Sequence, residues 1–390
     1  MSADWVVVSG DFWRRGGMDR ANFELARWLV DRGDRVHLVA HRVDDVLASS
    51  RGVDVTIVPR PLGAHALGFV LLDRIGARVA RMRAKDGARV IVNGANCHFY
   101  DATWVHAVHH AWPVRDEGAP LRVRAKNRID KWRSRRDEKT ILRRARVVIA
   151  NSEKTRRDLE SFVQVDPARI HVVPLGCDPD ADAPQDARVI AERRHALGVA
   201  PGELSVVFIG ALGHDRNKGL DTLLEAWALL KRDRQVAGRV FAIGAAVPRW
   251  RAEIAARGLE GDVALLGARD DAGDILAAAD LLVAPSRYDS YGLAVQEALC
   301  RHVPAITSSG SGVSERYPPS LARLVLPDPD DARALAERIT WCARDRESGA
   351  PEIPREIARL GDEIRAHTWS RMSEEIVACV EGTPAARGAR

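Results

Sequence analysis

At 390 residues the chain exceeds the usual size of a single hydrophobic core, so two domains are the expectation. Its 46% hydrophobic and 29% charged residues are the balance of a soluble globular protein, and its formal charge of +5 is modest for this size, so the distribution of charge carries more than the total. The five cysteines are scattered without a CxxC pair, which argues against a disulfide framework or a zinc site and for a reducing compartment. The start, MSADWVVVSGDF, lacks a basic segment followed by a long apolar one, so no signal peptide is expected, and no window approaches a membrane span.

Taken in order, Trp5 to Ser9 reads as a first strand. A loop with Gly16 and Gly17 follows, then an amphipathic helix marked by Met18, Ala21, Leu25, Trp28 and Leu29 that ends near Gly33. Paired glycines between strand and helix let a backbone approach phosphate without interference from a Cβ. Val36 to Ala40 and Val53 to Val58 are the next strands, and such alternation with helices implies a doubly wound parallel sheet. Leu62 to Ala80 carries an apolar island, Ala66 to Leu72, expected as a core-packing helix rather than a membrane-dipping one.

After a strand at Val90 to Asn93 comes NGANCHFYDATWVHAVHHAWP, with His98, His106, His109 and His110 beside Trp104 and Trp112. The spacing allows a metal site, but no acidic ligand accompanies the later three, and aromatic-flanked histidines suit hydrogen bonding to sugars better than zinc. Leu121 to Arg146 holds twelve Arg or Lys against Asp130, Asp137 and Glu138. Ile129, Trp132, Ile141, Leu142 and Ala145 supply a broken apolar stripe, so one or two amphipathic helices are expected. Such a run is most often a solvated face; an anionic membrane surface, polyphosphate or an acidic acceptor also suits it. Nucleic acid is not expected, because no recognised motif accompanies the charge.

Val147 to Ala150 is a strand, and Asn151 and Ser152 cap the helix after it. Residues 178–187, rich in Asp, Pro and Ala, read as the interdomain connection. Leu204 to Gly210 opens a second sheet. It is followed by GALGHDRNKGLDTLLEAW, where Arg216 and Lys218 stand just before a helix. Cations beside a helix N-terminus make a diphosphate site. Strands then recur at Arg239 to Gly244, Val263 to Gly267, Leu281 to Ala284, Val303 to Thr307 and Leu324 to Pro327. After the third of these, and running through the fourth, comes PSRYDSYGLAVQEALCRHVPAITS. Asp289 sits in its loop and Glu297 about two turns into its helix, while Ser290, Tyr291, Gly292 and Leu293 offer N–H groups to anionic oxygen. An acid at each end of an amide-rich helix start suits a polyhydroxyl ligand carrying phosphate.

That last run resembles the signature of the retaining family 4 glycosyltransferases, two acids separated by seven residues and followed by an E-A-x-x-x-x-x-P-x-I/V pattern. Asp289 stands where the family usually has Glu, and Ala211 where it usually has Arg. The resemblance implies a GT-B architecture, two Rossmann-like doubly wound domains facing across a cleft. Residues 1–182 would form the acceptor-side domain, 183–365 the nucleotide-sugar domain, and 366–390 a helix returning to the first domain plus a frayed basic tail. It further implies glycosyl transfer from a nucleotide diphosphate sugar, with that donor as co-substrate and no metal or other cofactor. His109, ahead of His106, would lie near the transferred sugar. Lys218, with Arg216 replacing the missing family Arg, would neutralise the diphosphate, Glu297 would accept from the ribose and Asp289 from the donor sugar. Gly16 and Gly17 would face the donor from the first domain. The acceptor is left open among saccharides, lipid-linked compounds and small molecules, and the location is expected to be cytoplasmic, with peripheral contact at the inner membrane face through 121–146 held in reserve. The rival readings are a non-catalytic nucleotide-sugar binder and a phosphorylase or epimerase on the same fold.

Overall fold

The computed structural model describes residues 3–14, 16–61, 65–348 and 350–382. The described chain forms two compact units. One takes the chain to Trp112, then Arg124–Gly176, then His367 onward; the other takes Pro113–Val123 and Cys177–Ala366. The junctions thus fall at 176/177 and 366/367, and the short segment 113–123 groups with the second unit.

In the first unit the elements are β1 (Asp4–Val8), β2 (Asp11–Phe12), α1 (Gly17–Asp31), β3 (Arg35–Ala40), β4 (Arg42–Val43), α2 (Asp45–Ala48), β5 (Val53–Ile57), α3 (His65–Lys85), β6 (Arg89–Asn93), β7 (Ala102–Val105), α4 (Leu121–Leu142), β8 (Val147–Ala150), α5 (Glu153–Asp158) and β9 (Ile170–Val172). Seven strands make one parallel sheet in the order β5-β3-β1-β6-β7-β8-β9, with β2 and β4 as a separate two-stranded ribbon. The central strands are buried on both faces, which is why they read as unbroken Val and Ile runs rather than alternating patterns. Helix α1 turns Ala21, Phe23, Leu25, Ala26 and Leu29 onto the sheet and stops where Gly33, at φ 89°, donates to the Val30 carbonyl. The end of the helix expected near Gly33 is therefore a glycine C-cap.

The second unit contains α6 (Ala187–Ala196), β10 (Leu204–Ile209), α7 (Leu220–Arg232), β11 (Gly238–Ile243), α8 (Arg249–Ala256), β12 (Val263–Gly267), α9 (Ala272–Ala277), β13 (Leu281–Ala284), α10 (Leu293–Cys300), β14 (Ala305–Ser308), β15 (Val325–Leu326), α11 (Ala332–Glu347) and α12 (Ile353–Arg365). Its sheet is again all parallel, in the order β12-β11-β10-β13-β14-β15. One core joins this sheet to its covering helices, with Trp227, Trp250, Phe208 and Phe241 as its largest members. Helix α13 (Trp369–Gly382) belongs to the first unit and packs on α1 and β8. Gly176 lets it do so, because a Cβ there would stand 2.6 Å from the Trp369 backbone.

Several elements differ in detail from the expectations. Strand β7 was not expected, since Thr103 and the flanking Asp101 and His106 break the apolar run; its four residues are nonetheless fully buried between β6 and β8. The 121–146 segment carries one helix, and its apolar stripe divides. Ile141, Leu142 and Ala145 are buried, whereas Ile129 and Trp132 are 65% and 64% exposed. The strand expected to begin at Val303 begins at Ala305, and the one expected at Leu324 is only two residues long. The helix expected from Leu62 runs from His65 to Lys85, with 62–64 outside the described residues, as is the tail from 383.

Candidate functional site

In the second sheet the chain runs outward from β10 through β11 to β12, then returns to β13 on the other side of β10. Loops leaving strands on either side of such a reversal open a crevice at the carboxyl ends of the strands. Here they are residues 210–219 and 285–292. Asn217 donates from Nδ2 to the Tyr288 carbonyl at 2.7 Å, and its own carbonyl accepts from the Arg287 amide at 2.8 Å. Arg287, only 8% exposed, donates to both carboxylate oxygens of Asp221 at 2.9 and 3.0 Å and to Asp330 at 2.6 Å. It also donates to the Arg216 carbonyl. Gly219, at φ 77°, allows the close approach, because a Cβ there would lie 2.2 Å from the Pro285 carbonyl oxygen. Two loops far apart in sequence are thereby locked into one platform.

On that platform the Lys218 ammonium meets the Asp289 carboxylate, Nζ to Oδ2 at 2.6 Å. Their side chains remain 30% and 21% exposed, so the pair is accessible to a ligand. Asp289 is fixed from its backbone side as well, donating to the Gly310 carbonyl at 2.8 Å and accepting from the Gly312 amide at 3.0 Å. Gly292, at φ 101°, turns the chain into α10, and any Cβ would strike Ser311 Oγ at 2.4 Å. Ser311 Oγ in turn donates to the Tyr291 carbonyl at 3.0 Å. The first amides of α10, Leu293 among them, have no acceptor within the helix and carry the positive end of its dipole. Tyr291 is buried and its hydroxyl donates to Gln296, while burial raises its pKa and keeps it neutral, so its side chain supports α10 from within. Ser290 is buried too, and Glu297 is half-buried one turn beyond Leu293.

Arg216 is placed differently from Lys218. Its guanidinium lies 2.9 Å from Glu253 and 3.5 Å from Asp221, so its charge is already met by acids of α8 and α7. Its amide donates to the Arg115 carbonyl at 2.8 Å.

The first unit has its own reversal, between β1 and β6. Gly16 is the N-cap of α1 at φ 82° with open space about its Cβ position, and Gly17 is the first residue of that helix. Behind them Asn93 donates to Asn22 and Asn22 to Ser9, each at 2.9 Å and all buried. In the first turn of α1, burial and then the nearby Asp11 push the Asp19 carboxyl up to about 6.

The four histidines do not converge. His98 takes Asp73 at 3.0 Å, and His110 takes Glu138 at 2.8 Å. His106 lies against Trp104, ring centroids 4.3 Å apart, with its Nε2 shielded from solvent; burial pushes its pKa down to about 3. The His109 ring is nearly parallel to that of Trp112, 5° between planes and 6.1 Å between centroids. Burial, then Lys131, His110 and Arg135, push His109 down to about 4. Both rings are neutral at pH 7 and able to donate from one nitrogen and accept at the other.

Of the residues singled out from sequence, Lys218, Asp289, Ser290, Tyr291, Gly292, Leu293 and Glu297 are neighbours along this crevice of the second unit. Gly16, Gly17, His106 and His109 belong to the first. Sequence reasoning missed Arg287, Asn217, Asp19 and Glu138. Arg287 was visible as the only long cation in the PSRYDSYG loop; Glu138 had no signal, being one acid in a basic run.

Two Rossmann-like parallel sheets in separate units, with a cation, an acid and a helix start at a strand-order reversal, define a protein of the GT-B class. The comparisons agree. The family model "Glycosyltransferase Family 4" matches residues 15–181 and "Glycosyl transferases group 1" matches residues 203–345. The chain therefore belongs to the family 4 glycosyltransferases. The D-inositol 3-phosphate glycosyltransferase of Jonesia denitrificans is 28% identical across 63% of this chain and 59% of its own length. The match thus spans little more than half of that relative. The crystal structure of WaaG, a glycosyltransferase involved in lipopolysaccharide biosynthesis, superposes with a TM-score of 0.73 at 18% identity, covering 97% of this chain and 100% of that one. Anabaena Alr3699/HepE in complex with UDP-glucose gives 0.69 at 18% identity, covering 97% and 99%. Both likenesses establish the GT-B fold.

Proposed function

We propose that this chain transfers a sugar from a nucleotide diphosphate sugar to an acceptor hydroxyl, with retention of anomeric configuration and without a divalent metal. The observation that carries the reading is the Lys218–Asp289 pair at 2.6 Å beside the start of α10. The chemical task is to stabilise a departing diphosphate and an oxocarbenium-like centre. Lys218 and the amides opening α10 would meet the charge that develops on the leaving group, where preorganised donors are worth most. Glu297 would accept from the ribose hydroxyls and Asp289 from a hydroxyl of the donor sugar. With Arg216 occupied by Glu253 and Asp221, Lys218 carries the larger part of that neutralisation. His109, neutral and stacked on Trp112, would face the transferred sugar. The HepE complex with UDP-glucose supports a nucleotide-sugar donor, and the relatives' names support glycosyl transfer.

A thermal-shift screen of nucleotide sugars and free nucleotides, followed by product analysis with candidate saccharide and polyol acceptors, tests the reading. Stabilisation by a donor with turnover only when an acceptor is added is the expected result. Donor binding without any product would favour a pure binder, and phosphate dependence or acceptor-free turnover would favour a phosphorylase or epimerase.

A second reading concerns the acceptor's setting, an anionic membrane surface in the cytoplasm. It is favoured by the exposure of Ile129 and Trp132 on α4 beside exposed Arg128 and Arg136. Apolar side chains flanked by cations are what an interfacial helix presents to anionic lipid. Among the described residues no helix is long and apolar enough to cross a membrane. Arg133 and Arg135 are not part of that surface: Arg133 stacks on Phe69 at 4.4 Å, and Arg135 donates to backbone carbonyls. Sedimentation with anionic but not neutral vesicles, abolished by Ile129→Ser with Trp132→Ser, is expected; equal pelleting with both vesicle types would refute it.

A further inference from the structure

Three side chains of α4 meet the His109 loop from one helix face. Lys131, Arg135 and Glu138 follow one another at four and three residues, so they share a stripe. Both carboxylate oxygens of Glu138 are occupied by the loop. One accepts from the His109 amide; the other accepts from the His110 amide at 3.2 Å and meets His110 Nδ1 at 2.8 Å. Arg135 takes the carbonyls of the same two residues, donating to that of His109 at 3.2 Å and that of His110 at 3.4 Å, so the peptide between them is held at both poles. Lys131 donates to the carbonyl of Trp112, whose ring lies parallel to that of His109. Glu138 is 1% exposed, and a buried acid in a basic helix would ordinarily turn to a cation or to water. Here it spends its acceptor capacity on peptide N–H groups of another segment.

We infer that Lys131, Arg135 and Glu138 form a clamp that sets the position of the His109 ring for glycosyl transfer, with Glu138 as its principal positioning residue. The inference rests on the glycosyl-transfer reading of that loop. It also explains why a helix this basic keeps Glu138 buried although it contacts no cation of its own helix at hydrogen-bond distance. The clamp uses a face about a third of a turn away from Ala125, Ile129, Trp132 and Arg136, so whatever α4 presents outward leaves the clamp intact. A carboxylate offers only acceptors, and three N–H groups converge on this one. An amide of the same shape would turn a donor toward one of them, so Glu138→Gln is the informative change.

Burial holds the Glu138 carboxyl up to about 7, against the pull of the two amides and Arg135. His109, His110 and Arg135 act on Glu138 directly, and the two histidines in turn face Lys131, Lys139 and Arg143 from α4 and its end. The clamp is therefore complete above that pH and loosens as the carboxyl takes a proton below it.

The test compares wild type, Glu138→Gln and Arg135→Gln by hydrogen exchange of the 108–112 amides and by steady-state kinetics. Loss of one charge-assisted bond predicts about tenfold faster exchange in that loop and about tenfold lower kcat, with donor KM within about twofold of wild type. The rise of wild-type kcat with pH through about 7 should vanish in Glu138→Gln. Unchanged exchange, or faster exchange with unchanged kcat and pH profile, overturns the clamp. If wild type shows no transfer from any nucleotide sugar, the functional reading fails instead, and the exchange data alone decide whether the clamp exists. Arg135→Gln probes the same clamp from the carbonyl side should Glu138→Gln not fold.

Discussion

Replacing Gly219 by alanine tests the claim that two loops of the second unit act as one platform. Gly219 adopts φ 77°, which costs an L-residue about 1–2 kcal/mol. For a unit of this size, each kcal/mol lowers the melting temperature by about 2–4 °C, so backbone conformation alone predicts a fall of about 2–8 °C. The steric part adds to this. The new Cβ would lie 2.2 Å from the Pro285 carbonyl oxygen, where non-bonded contact requires about 3.5 Å, so the loops must part by roughly 1 Å. Lys218 adjoins this point and Asp289 stands four residues further along the second loop, so their 2.6 Å contact is lost with it. A displacement of about 1 Å at a reacting centre can cost on the order of 100-fold in rate. Gly213→Ala, at a position with nothing within 4 Å, is the control for simply adding a methyl group to the same loop. Melting curves with and without nucleotide, together with transfer rates, read the outcome. A Gly219→Ala protein with the melting temperature and turnover of the Gly213→Ala control would refute the platform.

Two further outcomes follow from the same geometry. Lys218→Ala should lower kcat more than it raises donor KM, because the charge it meets grows in the transition state, whereas Glu297→Ala should weaken donor and free nucleotide alike by about 1.5–3 kcal/mol; equal effects of the two on free-nucleotide binding would contradict these roles. The half-buried His109, with its pKa held near 4 instead of its ordinary 6.5, stabilises the fold fully above about pH 6.5, and this contribution is lost as pH falls toward 4. A pKa displaced that far corresponds to about 3 kcal/mol. His109→Gln should flatten the acid side of the urea-unfolding stability profile, and a profile as steep as wild type's would refute the assignment.

Much of the second unit was legible in the chain itself. Its strands are short apolar runs bounded by Gly and Pro, and the acids at 289 and 297 flank a helix start that local spacing alone defines. Gly16 before α1 and Gly33 after it were readable for the same reason, since their conformations are local requirements. Strand β7 was not, because burial on both faces overrides the polar residues that disguise it. Neither was the fate of the cations. Arg216 and Lys218 look alike in sequence, yet tertiary packing sets Arg216 against Glu253 and Asp221 and Lys218 against Asp289. The basic run from 121 to 146 showed its charge and helical spacing, but which face stays exposed and which grips the His109 loop depends on peptides beyond the far end of β7. Periodicity along one segment determines what that segment can become; the pairing of charges and buried amides between distant segments exists only once the sheets have brought them together.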